Sequence, residues 1–227
     1  MPRPLITNMR SKLLYLISLF LMGFHLVQAQ NNDSTVLGRG RFLSSLNGSI
    51  SGQRIDSDYL GQSFSSGYII GTKSGVFITD KWALGLNLSL GNEEYENLSG
   101  AFDFEDFSIG PWSRYYFGRG SAGSGAFFAE LTPFWISVYQ TFTPDTVQGS
   151  NFREVVSGNG FGIEPGAGFT YLINKNVGFA LMVSYRYSRL SVEIEDPAAN
   201  LPQSSELVIR EPRFTFEFQI YLDKFFF

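Results

Sequence analysis

Residues 76–91, VFITDKWALGLNLSLG, constrain the fold more than any other stretch of the chain. After the turn residues Thr79, Asp80 and Lys81, large apolar side chains fall at Trp82, Leu84, Leu86, Leu88 and Leu90, while Ala83, Gly85, Asn87, Ser89 and Gly91 are small or polar. That is period two, a strand with one apolar face. The opposite face carries no charge, whereas a surface in contact with water normally carries Lys and Glu. Small uncharged residues suit a crowded interior, so the stretch reads as a strand of a closed membrane barrel whose side chains alternate between lipid and lumen.

Residues 1–29 read as a signal peptide cleaved near Ala29. Arg3, Arg10 and Lys12 form its basic start, residues 13–26 are an apolar run, and Val27 and Ala29 are the small residues of the cleavage site. The run is shorter than the roughly 20 residues a spanning helix needs. Residues 30–227 then form one barrel domain, and no later apolar run there suits a helix, so a membrane reading requires a closed barrel in which every backbone group is paired. The chain has net charge −4, and loss of the basic segment makes it more acidic still. Nucleic acid is therefore no partner. It has no cysteine, and its one histidine, His25, lies in the signal segment. We expect no thiol chemistry, no cofactor, no metal centre and no histidine-based catalysis.

Strands are expected over residues 40–53, 60–78, 81–92, 102–117, 126–140, 160–173 and 177–194, with an eighth ending in residues 214–222. In the last, Phe214, Phe216, Phe218, Ile220 and Leu222 share one face, and Thr215, Glu217, Gln219 and Tyr221 the other. The connections 79–81, 118–125 and 174–176 are short; those around 93–101, 141–159 and 195–205 are long and polar. Outer-membrane barrels have this asymmetry. Aromatics gather beside the short turns at Phe77, Trp82, Tyr115, Tyr116, Phe117, Phe127, Phe128, Tyr171, Phe179 and Phe225 to Phe227, and are expected to form an interfacial girdle.

The turn centres also set a register. Reflection about residue 122 places Arg114 opposite Glu130 and Pro111 opposite Pro133; reflection about residue 175 places Glu164 opposite Arg186. All four charges lie on the face opposite Ile109, Tyr115, Phe117, Phe179, Leu181 and Val183. An Arg facing lipid at the midplane costs about 2–4 kcal/mol. We therefore expect Arg114, Glu130, Glu164 and Arg186, joined by Lys73 and Glu217, to form an interior ion-pair network filling the lumen. Pro111, Pro133 and Pro165 are expected at the extracellular end of the spanning region, with bulges. Glu93, Glu94, Glu96, Asp103, Glu105 and Asp106 read as a solvated acidic rim whose spacing matches no defined cation loop.

GVFITDKWALGLNLSLG, FSIGPWSRYYF, AFFAEL and YLINKNVGFALMVSYRYS resemble the hairpins of the small outer-membrane β-barrel domain family of Gram-negative bacteria, similar in architecture to OmpA/OmpX-type barrels. The family's assembly signal ends in an aromatic in phase with the preceding apolar residues. Here Phe226 is in phase and Phe227 is not. The resemblance implies an eight-stranded antiparallel up-and-down transmembrane β-barrel in the outer membrane with periplasmic termini. It further implies contact with membrane lipid and lipopolysaccharide, with the barrel-assembly machinery, and with a surface or secretion-system partner. The expected role is structural or surface-binding, without enzymatic activity. Two alternatives stand beside it: a small-solute channel of the OmpW kind, and a secreted soluble β-barrel or sandwich.

Overall fold

The computed structural model describes residues 35–57, 61–97, 100–118, 120–144, 154–195 and 203–223. The expected signal peptide and Phe225 to Phe227 lie outside these. Eight strands form one closed antiparallel ring in chain order: β1 (Phe42–Ser57), β2 (Gly61–Thr79), β3 (Trp82–Asn97), β4 (Gly100–Gly118), β5 (Ser124–Pro144), β6 (Glu154–Leu172), β7 (Val177–Glu195) and β8 (Gln203–Leu222). Pairing of Phe42 with Leu222 closes the ring between β1 and β8. Expected and observed strands agree in number and order, but most observed strands are longer. β3 and β4 pair as far as Asn97 and Gly100, so most of the expected loop 93–101 is hairpin. Its polar residues continue the ladder beyond the apolar zone.

Period two decides which side each residue faces. On β7, Leu181 and Val183 are 47% and 63% exposed, while Ala180 and Met182 between them are buried. Leu84 and Leu86 point outward on β3, and Ala83, Asn87 and Ser89 inward. The apolar face is thus the outer wall, the opposite of a soluble barrel or sandwich. Outward apolar side chains occupy about ten residues per strand, one bilayer crossing, as from Phe117 to Phe107 on β4 and from Tyr171 to Phe161 on β6.

Past that band the polarity reverses. On β7, Arg189, Ser191 and Glu193 are exposed on the outside, and Leu190, Val192 and Ile194 are buried inside. These three join Phe134, Ile136, Leu207 and Ile209 in an interior apolar cluster at the long-connection end. Here the wall is polar outside and apolar inside, the polarity of a soluble protein. This reversal, rather than the prolines, marks the edge of the apolar band. Pro111, Pro133 and Pro165 lie within the band, with Ile109 and Phe107, Trp135, and Ile163 and Phe161 beyond them. No bulge accompanies them. β4–β5 pairing stops at Ile109–Trp135 and resumes in the same register at Ser113–Leu131. Pro111 and Pro133 face each other across the gap, and neither supplies an N–H.

Glycine allows the narrow interior to fill. The inward face of β6 carries Gly158, Gly160, Gly162, Gly166 and Gly168. A Cβ at Gly162 would collide with the Phe134 ring, and one at Gly168 with Phe128, so the large inward residues of β5 occupy the space that β6 leaves.

The expected girdle divides for the same reason. Trp82, Tyr115, Phe117, Phe127 and Tyr171 face outward, but Phe77, Tyr116 and Phe128 are buried with Val36, Leu37 and Tyr221 in a second apolar cluster at the short-turn end. Residues 35–41 strap this end. Val36 N–H donates to Gly120 O (2.7 Å), Lys81 N–H to Leu37 O (2.8 Å) and Gly40 N–H to Phe77 O (2.8 Å). Lys81 holds a left-handed turn conformation (φ 69°). Arg41 joins the pieces: its guanidinium donates to Val36 O (3.1 Å), Lys175 O (2.8 Å) and Tyr221 O (3.3 Å) and pairs with Asp223 (2.9 Å). Burial lowers its pKa from the ordinary value while Asp223 opposes the shift. Replacing Arg41 with Ala should cost about 2 kcal/mol, the scale of a charged hydrogen bond. The folded band in unheated SDS should then disappear at a lower temperature than in the wild type. An unchanged melting temperature would show that the strap does not hold the seam.

Candidate functional site

Strand alternation brings charged side chains from six strands into the lumen. Nearer the short turns, Lys73 on β2, Arg114 on β4, Glu130 on β5 and Glu217 on β8 form one layer. Glu130 lies 2.5 Å from Lys73 and 2.5 Å from Arg114; Glu217 lies 2.9 Å from Lys73 and 2.8 Å from Arg114. Each cation thus meets two carboxylates and each carboxylate two cations, and all four residues are buried. The expected Arg114–Glu130 register is the observed one. The second Glu217 oxygen accepts from Gln219 Nε2 (2.8 Å), whose Oε1 accepts from Tyr221 O–H (2.7 Å). Arg114 also lies over the Phe128 ring, 4.0 Å from its centroid, a favourable seat for a desolvated guanidinium.

A second layer lies nearer the long connections. Arg186 on β7 donates to Asp106 on β4 (2.8 Å) and lies 3.7 Å from Glu211 on β8. Arg213 pairs with Glu211 (2.7 Å) and Glu164 (3.4 Å), and Ser184 O–H donates to Glu164 (2.7 Å). The expected Glu164–Arg186 ion pair is therefore corrected. β6–β7 pairing breaks between Ile163–Tyr187 and Gly166–Ser184 and keeps its register across the gap, so the two residues are opposite in the chain. Their side chains take other partners: Glu164 turns to Arg213, and Arg186 reaches across the lumen to Asp106. Backbone register fixes which strand positions meet, but a long side chain crossing a narrow lumen chooses among several partners.

Asp106, Glu211 and Arg213 are the members that sequence reasoning missed. Arg213 and Glu211 are in phase with Thr215, Glu217 and Gln219, so extending that face back along β8 would have found them. Asp106 has the parity of Arg114, and it faces inward while Asp103 is exposed on the outside. The acidic rim is thus split by alternation. The side chains of Glu93, Glu94 and Glu96 lie outside the described residues. Among the described residues, no group of three His, Cys, Asp or Glu side chains is placed to hold a metal ion.

Between the two layers the lining is mostly small and polar, Asn47, Ser49, Asn87, Ser89, Thr132 and Thr215, with Ile69 and Met182 as its apolar members. The cavity they share with Lys73, Glu164 and Arg213 has a volume of about 10 Å³, room for about one water. Hydroxyl pairs cross the strands here, Ser49 with Thr215 (2.8 Å) and Ser89 with Ser108 (2.6 Å).

Removing one charge from a buried network strands its partners, at a cost of about 3–5 kcal/mol, whereas removing a matched pair often costs little. Glu217→Leu leaves Lys73 and Arg114 to share Glu130. Its destabilisation in urea unfolding should be large and should be partly reversed by adding Lys73→Met. Strict additivity of the two substitutions would refute the coupling.

The sequence matches no protein-family model and no curated protein. Solved structures do match. OprG from Pseudomonas aeruginosa is 15% identical, with 83% of this chain and 99% of that chain covered and a TM-score of 0.54. Neisserial surface protein A is 16% identical over 78% of this chain and 96% of that chain, with a TM-score of 0.46. The outer membrane protease OmpT from Escherichia coli is 8% identical over 86% of this chain and 100% of that chain, with a TM-score of 0.42. At these identities the likeness bears on fold alone, and OprG carries it. The chain has the fold of the small eight-stranded outer-membrane β-barrel proteins.

Proposed function

We propose that this chain is a non-enzymatic outer-membrane barrel whose wall is a rigid structural or surface-binding element and whose lumen admits no solute. The observation that carries the reading is the lumen filling: two ion-paired layers, with apolar clusters at both ends of the barrel. A permeating solute would have to separate buried ion pairs and displace packed aromatic and aliphatic side chains. The outward band of Phe, Leu, Ile, Val, Trp and Tyr supports residence in a bilayer, because a wall so apolar would aggregate in water. The short-turn end, where β1 begins and β8 ends, is the periplasmic side in this reading. The long connections and the polar-walled extension then face outward, where lipopolysaccharide and a surface or secretion-system partner meet them; the barrel-assembly machinery inserts the chain.

Absence of histidine after His25 supports a non-enzymatic role, and the lumen carboxylates described above are held by cations rather than poised over an open site. A small-solute channel requires an open passage. Reconstituted in planar bilayers, the purified barrel should produce no steady single-channel current. Discrete, reproducible openings in the wild type would replace this reading with the channel.

A further inference from the structure

One part of the outer wall is hollow. A cross-strand row of outward residues runs Tyr115, Ala129, Ala167, Val183, Phe214 from β4 to β8, and only the two alanines in it are small. Ala129 and Ala167 are directly paired. On the short-turn side of them Phe127 and Phe169 pair, with ring centroids 5.2 Å apart in edge contact. On the other side Leu131 pairs with Pro165. The recess has a volume of about 510 Å³, and its floor is thin enough that inward-facing Phe128, Gly168 and Met182 also line it.

We infer that this recess binds one acyl chain of a phospholipid in the leaflet on the short-turn side. The inference rests on the membrane reading above, since the recess is continuous with the apolar band and lies in its short-turn half. It carries no charged group, so only an apolar occupant suits it. Its lining runs from Phe117 on β4 to Phe214 on β8, four strand spacings of ~4.8 Å or about 19 Å. Left empty, the lining would forfeit its dispersion contacts. A second barrel is convex where this surface is concave and would meet the Phe127 and Phe214 ridges before its wall reached the alanines. A chain of methylenes is narrow and flexible enough to reach the floor and follow the ridges. The retained lipid would exchange more slowly than its neighbours around the smooth β3 wall of Leu84, Leu86 and Leu88.

The test is native mass spectrometry of the full mature chain, released from detergent micelles containing palmitoyl-oleoyl-phosphatidylethanolamine. The wild type should retain one lipid. Ala167→Phe, which fills the recess from a lipid-facing position, should reduce the lipid-bound fraction at least tenfold, while Leu84→Phe on β3, outside the lining, should leave it unchanged. Both variants should keep the heat-modifiable band, which separates loss of the recess from loss of the barrel. A membrane-integrated wild type that retains no lipid, or an Ala167→Phe variant that retains it as the wild type does, overturns the inference. So does a dimer that Ala167→Phe abolishes, because the occupant would then be a second copy. Wild type recovered in the soluble fraction would overturn both the recess and the membrane reading.

Discussion

Eight strands enclose a lumen about the width of its own side chains, so a charge placed inside must find its partner inside. That constraint explains why every cation in the two layers pairs with a carboxylate from another strand. Lys73, Arg114, Glu130 and Glu217 come from four strands and compensate one another fully. The other layer sets Asp106, Glu164 and Glu211 against Arg186 and Arg213, so one carboxylate more than the cations is accommodated by hydroxyl donation from Ser184 and by sharing. Buried ion pairs gain little net stability over apolar packing. A one-residue slip of any strand would turn its charges toward the apolar outer surface, so they penalise misregister.

The same alternation serves two solvents along one strand. On β7 the outer wall is apolar through Tyr187 and polar from Arg189, and the inner wall changes in the opposite sense at Leu190. A barrel that merely spanned a bilayer would end where its apolar band ends. This one continues as a wall with an oily interior, which holds the strands together in water by ordinary burial. At the opposite end the strap performs the same closure, placing Val36 and Leu37 beneath the aromatic cluster, with Arg41 bonded to elements at both chain ends.

Strand number, order, inside–outside parity and the Arg114–Glu130 register were legible in the sequence because each follows from period two and the position of a turn. What was not legible has a physical reason in each case. Glu164 and Arg186 occupy opposed positions but reach different partners, since side-chain length exceeds strand spacing. Phe77, Tyr116 and Phe128 are aromatic and near turns, yet parity sends them inward. The prolines suggested a boundary because they break ladders; the expected opposition of Pro111 and Pro133 is the observed one, but the register survives without a bulge and the apolar band continues past all three. The strap was invisible as well: residues 35–41 have no periodicity, and only the assembled turns give them partners.

The central claim is that the lumen is closed to aqueous solutes, and the absence of native cysteine makes it directly measurable. A single cysteine is introduced at Asn87, between the two charged layers, and another at Asp80 in an exposed turn as a control, and each folded barrel in lipid is exposed to a charged thiol reagent. The account predicts rapid modification of Asp80→Cys, and none of Asn87→Cys until the barrel is unfolded by heating in SDS. Modification of Asn87→Cys in the folded barrel at a rate approaching that of Asp80→Cys would contradict it.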